Sequence, residues 1–363
     1  MGFLYKYGSY PKNHSSGVKV RSAAERLYTR LCELTIEGLD ISDYNRRYFG
    51  SHVGHADVLR GHLAKYGYIL EWALSGIDKN PENIVLLDYG GGHGMLSLLA
   101  KEAGVGTVIH NDIYPISCQD AEQIASSIGL RADHYVPGDI DGVCEYCKIH
   151  GISCDVVANY DVIEHIYDID DFLGKLNTLS DGPMSVFLAS AANNLNPRIR
   201  RLLQKQHHEF EYQDRPLKFG RKPTDATRAI LDIRKEIVSG RSPSLPVETV
   251  EHLAVLTRGL IEREIVAAVD TYLTTGKFPE PPKHPTNTCD PYTGNWFEHL
   301  MDPHQLADSL SRRGFVAEVR CGYYDSSSTL LRRTFKATLN AAITVLGRHG
   351  LRLAPYFALY ARR

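Results

Sequence analysis

The spacing of apolar residues changes character along the chain. From residue 20 to 50, and again from 55 to 77, apolar positions recur at helical intervals, around Ala24, Leu27, Leu31 and Leu34 and then around Val58, Leu59, Leu63, Tyr66 and Leu70. That periodicity predicts two amphipathic helices. Asp78-Lys79-Asn80-Pro81 ends it, since proline cannot continue a helix. From Ile84 onward, short bounded apolar runs alternate with helical stretches. Runs too short for helices read as buried strands, and their alternation with helices predicts a parallel sheet covered on both faces. Strands are expected at 84–88, 107–111, 132–136, 154–160 and 183–190, with helices beginning near 94, 116, 141 and 168. Right-handed crossovers then put a ligand outside the carboxyl ends of the strands, beside the first one.

The first strand ends in Asp88-Tyr89-Gly90-Gly91-Gly92-His93-Gly94. Glycines at 90, 92 and 94 let the backbone turn sharply and approach a ligand at a helix N-terminus. Neither alignment of these glycines completes the Gly-x-Gly-x-x-Gly of dinucleotide sites, and no Gly-Lys-Ser/Thr is present to hold nucleotide phosphates. The acid at the strand tip repels a pyrophosphate and suits a cationic amino group. The Asp-x-Gly-x-Gly-x-Gly series resembles motif I of the class I S-adenosylmethionine-dependent methyltransferases.

The later strand ends extend that resemblance. Asp112-Ile113 follows the second strand ~20 residues beyond the glycines, where a carboxylate accepts the hydroxyls of a ribose. Asp139-Ile140 follows the third, where the family sets an acid and an apolar residue against adenine; by itself Asp139 reads as a helix N-cap. The fourth strand, Asp155-Val156-Val157-Ala158-Asn159-Tyr160-Asp161-Val162-Ile163-Glu164-His165, is similar to a signature of the small-molecule branch, which includes quinone and sugar methyltransferases. The resemblance implies a doubly wound, Rossmann-like α/β sheet of seven strands with the last antiparallel. It implies S-adenosylmethionine as cofactor, leaving S-adenosylhomocysteine, held by Asp88, Tyr89, Gly90, Gly92, Gly94, Asp112, Ile113, Asp139, Ile140, Asn159 and Tyr160. Asp161, Glu164 and His165 then face the acceptor, with His165 as the base and Asp161 or Glu164 orienting it. His299, in Asn295-Trp296-Phe297-Glu298-His299, is the reserve.

Other readings stay beside this one. Asp161-x-x-Glu164-His165 with His208 is similar to the metal site of small-RNA 2′-O-methyltransferases, although Asp161 replaces a glutamate there and no RNA-binding module is evident. A methyltransferase fold serving only as a partner subunit and an NAD-dependent oxidoreductase are the remaining two. Cys144, Cys147, His150 and Cys154 offer zinc-ligand types. Their places on a helix and the following strand do not converge, so small buried thiols are expected and no metal.

The resemblance covers 84–190 and 296–363, which divides the chain into a helical cap (1–82), a core (83–193 and 296–363) and an insertion (194–295). In the cap, Tyr44, Tyr48 and Phe49 serve either the cofactor pocket or the ordinary core. The insertion begins basic, with Arg198, Arg200, Arg201, Lys205, Arg215, Lys218, Arg221, Lys222, Arg228, Arg234, Lys235 and Arg241 outnumbering Glu209, Glu211, Asp214, Asp225, Asp232 and Glu236. It reads as a helical lid meeting an anionic acceptor, as a homodimer face, or as a solvated surface. After a helix from Gln305 and a strand at 316–321, Leu330, Leu331, Phe335, Leu339, Ile343 and Leu346 mark one stripe of an amphipathic helix over 327–348. Packing on the sheet accounts for that stripe, with membrane contact the alternative. Pro355–Arg363 supplies the last strand.

Composition excludes rather than identifies. Formal charge is −2 over 363 residues, so nothing global argues for nucleic acid or an anionic membrane as partner. Seven cysteines without an apolar leader over Met1–Gly17 point to a reducing cytoplasm, and no run reaches the ~20 apolar residues of a membrane span. The acceptor expected by resemblance is a saccharide, a lipid-linked molecule or a secondary metabolite.

Overall fold

The computed structural model describes residues 10–11, 16–215, 227–284, 286–325 and 330–363. Lys6, Lys12 and His14 of the leading segment, Lys218, Arg221, Lys222 and Asp225 of the basic stretch, and Pro285 lie outside the described residues. The chain divides into two compact units, one of residues 1–163, 169–196 and 302–363, the other of 164–168 and 197–301.

The first unit opens with α1 (Ser16–Glu33), α2 (Asp43–Val53) and α3 (Ala56–Ser75). The single helix expected over 20–50 is in fact two. Thr35, Ile36 and Gly38 are poor helix formers, and a single 3-10 turn at Ile36–Gly38 replaces the helix there. Arg46 holds the break open by donating to the carbonyls of Ile36, Glu37, Leu39 and Ile41 at 2.8–3.3 Å. Ser42 then caps α2, accepting from Asn45 N at 3.2 Å.

Next come β1 (Val85–Asp88), α4 (Met95–Glu102), β2 (Thr107–Asp112), α5 (Pro115–Ser127), β3 (His134–Pro137), α6 (Ile140–His150), β4 (Val156–Tyr160), α7 (Ile169–Lys175) and β5 (Ser185–Ser190). The strands form one sheet in the order β3-β2-β1-β4-β5-β7-β6, where β6 is Val316–Cys321 and β7 is Phe357–Arg362. Strands β1 to β5 pair in parallel, and β7 runs antiparallel between β5 and β6. This is the doubly wound, Rossmann-like sheet with an antiparallel last strand that the sequence led us to expect. Strand order reverses between β1 and β4, so the two strands open a crevice at their carboxyl ends.

Alternation along the strands fills both faces. Leu86, Val108, Val156, Ala158, Phe187 and Ala189 join a core with Val20, Ala24, Leu27 and Leu31 of α1 and Leu59, Leu63 and Leu70 of α3. Helix α12 (Pro303–Arg312) packs on β6, β7 and α7. Asp120 of α5, only 2% exposed, pins α2 by accepting from Ser42 N at 3.1 Å and Asn45 Nδ2 at 2.7 Å. The cysteines are free thiols, with Cys147 and Cys154 buried.

Helix α13 (Leu330–Leu346) departs from expectation. Most of its described stripe stays off the sheet: Leu331 is 85%, Phe335 58% and Leu346 46% exposed, and among the described members of the stripe only Ile343 is fully buried. Asn340 fixes the helix instead, donating to Tyr324 O at 2.9 Å and accepting from Tyr324 N at 2.8 Å.

The second unit contains α8 (Pro197–Tyr212), α9 (Ile230–Arg241), α10 (Val247–Leu256) and α11 (Glu262–Thr275). Ile230, Ile233, Ile237, Val238, Val250, Leu253, Ile265 and Val269 give it a core of its own. Arg234 is not part of a basic surface. It is fully buried, paired with Glu211 and donating to Ala254 O at 2.7 Å. Lys205, Arg228, Lys235 and Arg241 are also matched by carboxylates, while Arg200 and Arg201 of α8 are exposed. Among the described residues, five cations of this stretch thus meet carboxylates within the unit.

Candidate functional site

In the first unit the glycine turn lies at the carboxyl ends of β1 and β2. Its donors are taken by the β2 end: Gly91 N donates to Asn111 O at 2.7 Å, Gly90 N to Asn111 Oδ1 at 3.3 Å and Gly92 N to Asp112 Oδ2 at 3.1 Å. Gly90 has φ 69° and a Cβ there would lie 2.6 Å from Val162, so both conformation and space require glycine. Gly92, at φ 56°, has nothing within 4 Å of the same position. It is the open side of the turn, where a ligand can approach the backbone.

The acids divide by role. Asp88, 2% exposed, accepts through Oδ2 from Ser97 N at 3.0 Å and Ser97 Oγ at 2.6 Å, which ties the strand tip to the start of α4. His110 Nδ1 lies 3.2 Å from Ser97 Oγ and 3.8 Å from Asp88 Oδ2. Burial opposes charge on that ring, but Asp88 and Cys118 outweigh it and lift its pKa to about 9. Asp88 therefore already faces a protein cation. Asp112 accepts from Gly92 N and, at 3.0 Å, from Tyr114 N, and its lone pairs leave room for further donors. Ile113 beside it is 58% exposed. Asp139 caps α6 by accepting from Gly142 N at 3.1 Å, whereas Ile140 is only 5% exposed.

Asn159, at the end of β4, is 1% exposed, and neither its amide nitrogen nor its amide oxygen has a hydrogen-bond partner. Such a group costs roughly 1–3 kcal/mol unless something fills it. It sits on a strand at which the order reverses, so an orphaned donor and acceptor lie near the strand ends where a ligand is expected. Tyr160 packs edge-on to Tyr66 and Tyr356, with Lys65 Nζ 4.1 Å above its ring. Asp161, at φ 56°, accepts from Ala191 N at 2.8 Å and so joins the ends of β4 and β5. With the open turn at Gly92, the ribose-type acid Asp112, the exposed Ile113 and the empty amide of Asn159, the residues present fit S-adenosylmethionine.

Three histidines not singled out from the sequence, His52, His62 and His93, crowd the same turn beside Tyr44, Tyr48 and Phe49. His93 stands 4.7 Å from His52, 5.1 Å from Tyr48 and 5.3 Å from Phe49, ring centre to ring centre, and His52 lies 4.2 Å from His62. Tyr44 stacks on Tyr48. Burial, then repulsion from His52 and Lys65, pushes His62 down to about 3, and burial likewise lowers His52 and His93. The three rings are neutral at pH 7. Phe49 is fully buried, while Tyr44 and Tyr48 are half-buried.

In the second unit, residues 164–168 run beside 295–299. Trp296 N donates to His165 O at 3.2 Å, His299 N to Glu164 O at 3.0 Å and Trp296 Nε1 to Tyr167 O at 3.1 Å. His165 Nδ1 lies 2.8 Å from Trp296 O. A carbonyl can only accept, so Nδ1 carries the hydrogen and Nε2 keeps the lone pair. At Nδ1 the group orienting His165 is thus a backbone carbonyl. Glu164 is fully buried. Trp296 is stacked between Tyr167 and His299 at 5.7 and 4.4 Å. His299 is lowered to about 4 by burial and by His284 and His207. His208 is exposed and packs on Tyr212, whereas its neighbour His207 is buried against Glu298 O. Among the described residues no three His, Cys, Asp or Glu side chains converge to hold a metal ion.

No protein-family model matches the chain, and no curated protein matches its sequence. Solved structures do. One is an S-adenosylmethionine-dependent methyltransferase from Mesorhizobium loti, at 12% identity over 78% of this chain and 93% of that one, TM-score 0.38. The plantazolicin methyltransferase BpumL, in complex with S-adenosylhomocysteine, matches at 12% identity over 95% and 98%, TM-score 0.38. The magnesium protoporphyrin IX methyltransferase of Synechocystis PCC 6803, also with bound S-adenosylhomocysteine, matches at 21% over 50% and 73%, TM-score 0.32. At such similarity none of the three carries an argument about this chain. Its fold class rests on its own strand order.

Proposed function

We propose that the chain is an S-adenosylmethionine-dependent methyltransferase acting on an oxygen or nitrogen of a small molecule. The observation that carries this reading is Asn159, a fully buried amide with no partner for either polar atom, at the reversal of strand order beside the glycine turn. When bound, the cofactor supplies a methyl carbon already activated by its sulfonium. The chain has to hold that carbon in line with the acceptor and keep water away. When the cofactor is bound, Asp112 would hold the ribose hydroxyls, Ile113 and Asp139 the adenine, and the Asn159 amide would pair with the methionine end. Asp88 acts chiefly by fixing the turn through Ser97.

His165 removes the acceptor's proton through Nε2, since Trp296 O holds its other nitrogen protonated. Glu164 and Asp161 shape the turn that carries it.

Titration calorimetry with S-adenosylmethionine, S-adenosylhomocysteine and NAD tests the reading. Heat is expected with the first two and none with NAD; silence from both sulfur ligands removes it. Methyl transfer from radiolabelled donor to a panel of hydroxylated and aminated small molecules tests the base. His165→Ala should lower turnover at least ~100-fold with product binding retained, and near-normal turnover removes His165 from the mechanism.

A further inference from the structure

Helix α13 carries an apolar face that nothing among the described residues covers. Leu331 and Val345 are 85% and 86% exposed, and Phe335 and Leu346 58% and 46%. With Thr338 and Ala342 between them, these positions follow steps of three and four residues, so they make one continuous stripe along the helix. The opposite side is already occupied, by Asn340 on the Tyr324 backbone, by buried Ile343 and by the pair Lys336–Asp325.

Charge decides the occupant. Between Leu330 and Arg352 the sequence contains five Lys or Arg residues (332, 333, 336, 348 and 352) and no Asp or Glu. Arg332, Arg348 and Arg352 are exposed. A second copy of the chain docking through a twofold axis would set these cations against their own counterparts. A surface that is both apolar and negatively charged answers both halves of the pattern, and an anionic lipid bilayer is such a surface. The helix cannot cross it: α13 has 17 residues and no helix among those described is long and apolar enough for a membrane span.

We propose that α13 lies in the plane of an anionic membrane surface, with Leu331, Phe335, Val345 and Leu346 entering the headgroup boundary and Arg332 and Arg348 meeting lipid phosphates. This is independent of the methyl-transfer reading.

Flotation of the full-length protein with vesicles tests it. The protein should rise with phosphatidylcholine vesicles containing phosphatidylglycerol, stay behind with phosphatidylcholine alone, and be released by high salt, because the attraction is screened. Leu331→Asp with Phe335→Asp should lower the bound fraction at least ~10-fold, and Arg332→Gln with Arg348→Gln several-fold, with elution volume and thermal melting unchanged. If the aspartate pair alters melting, Val345→Ser gives the same reading with less perturbation. Three results overturn the proposal: no binding to the anionic vesicles, binding indifferent to these substitutions, or a concentration-dependent dimer that Phe335→Asp dissociates.

Discussion

Asn159 is costly where it stands: its amide is out of water and unpaired, so the protein without ligand gives up stability to keep it. Leucine keeps the branched shape and the number of heavy atoms, with no polar atom to satisfy. Asn159→Leu should therefore raise unfolding free energy without ligand by roughly 1–3 kcal/mol, while weakening S-adenosylhomocysteine binding at least ~10-fold. Thermal melting and calorimetry on the same preparation read both effects, and a variant that melts lower and binds normally would show that the amide serves the fold. The sequence pointed to Asn159 and Asp112 because each ends a strand, and strand ends can be counted. His52, His62 and His93 were invisible there because α2, α3 and the glycine turn bring together positions with no common spacing. The carbonyl of Trp296 that fixes His165 could not be read either, since every residue has a carbonyl and only the fold decides where it points.

Elements were legible wherever burial imposes a period. All seven strands fell within a few residues of their expected places: β1, β4, β5 and β7 are short buried runs bounded by turn residues, whereas β6, with Val316 72% exposed, has no buried run and was placed by the resemblance. Periodicity says that a helix has an apolar face but not what meets it, which is why the α13 stripe was assigned to the sheet and proved exposed. The basic stretch shows the opposite limit. Counting charges along the chain ignores partners folded against them, and Arg234 is buried between Glu211 of α8 and Ala254 of α10. Removing Arg234 leaves the buried Glu211 carboxylate with only Arg258 and Thr288, so Arg234→Met should cost up to about 3–5 kcal/mol, and the further change Glu211→Leu should restore part of it. Burial raises the Glu211 pKa, but Arg234, Arg258 and Thr288 lower it further, leaving it below its ordinary 4.5. The stabilisation this gives is present above pH 4.5 and is lost as pH falls through the depressed value. Denaturant unfolding below pH 4.5 should therefore show the wild type losing stability more steeply than the double variant.

At the scale of the molecule, the length of the insertion suggested a division there, while nothing in the sequence marked that five residues beyond the fourth strand, 164–168, group with 197–301. They carry no period of their own and are claimed by backbone bonds to Trp296 and His299. Each unit has a separate core, and the residues we assign to the cofactor all lie in the first. A ligand stabilises what it binds, by about 2.7 kcal/mol at a hundredfold excess over its Kd, and that protection falls on the backbone whose opening it blocks. With S-adenosylhomocysteine at that excess, amide hydrogen exchange followed by mass spectrometry should slow at 88–97, 110–114 and 156–160 while 230–275 exchanges at its unliganded rate. Protection confined to 230–275 would move the binding site out of the sheet and take the strand-end acids with it.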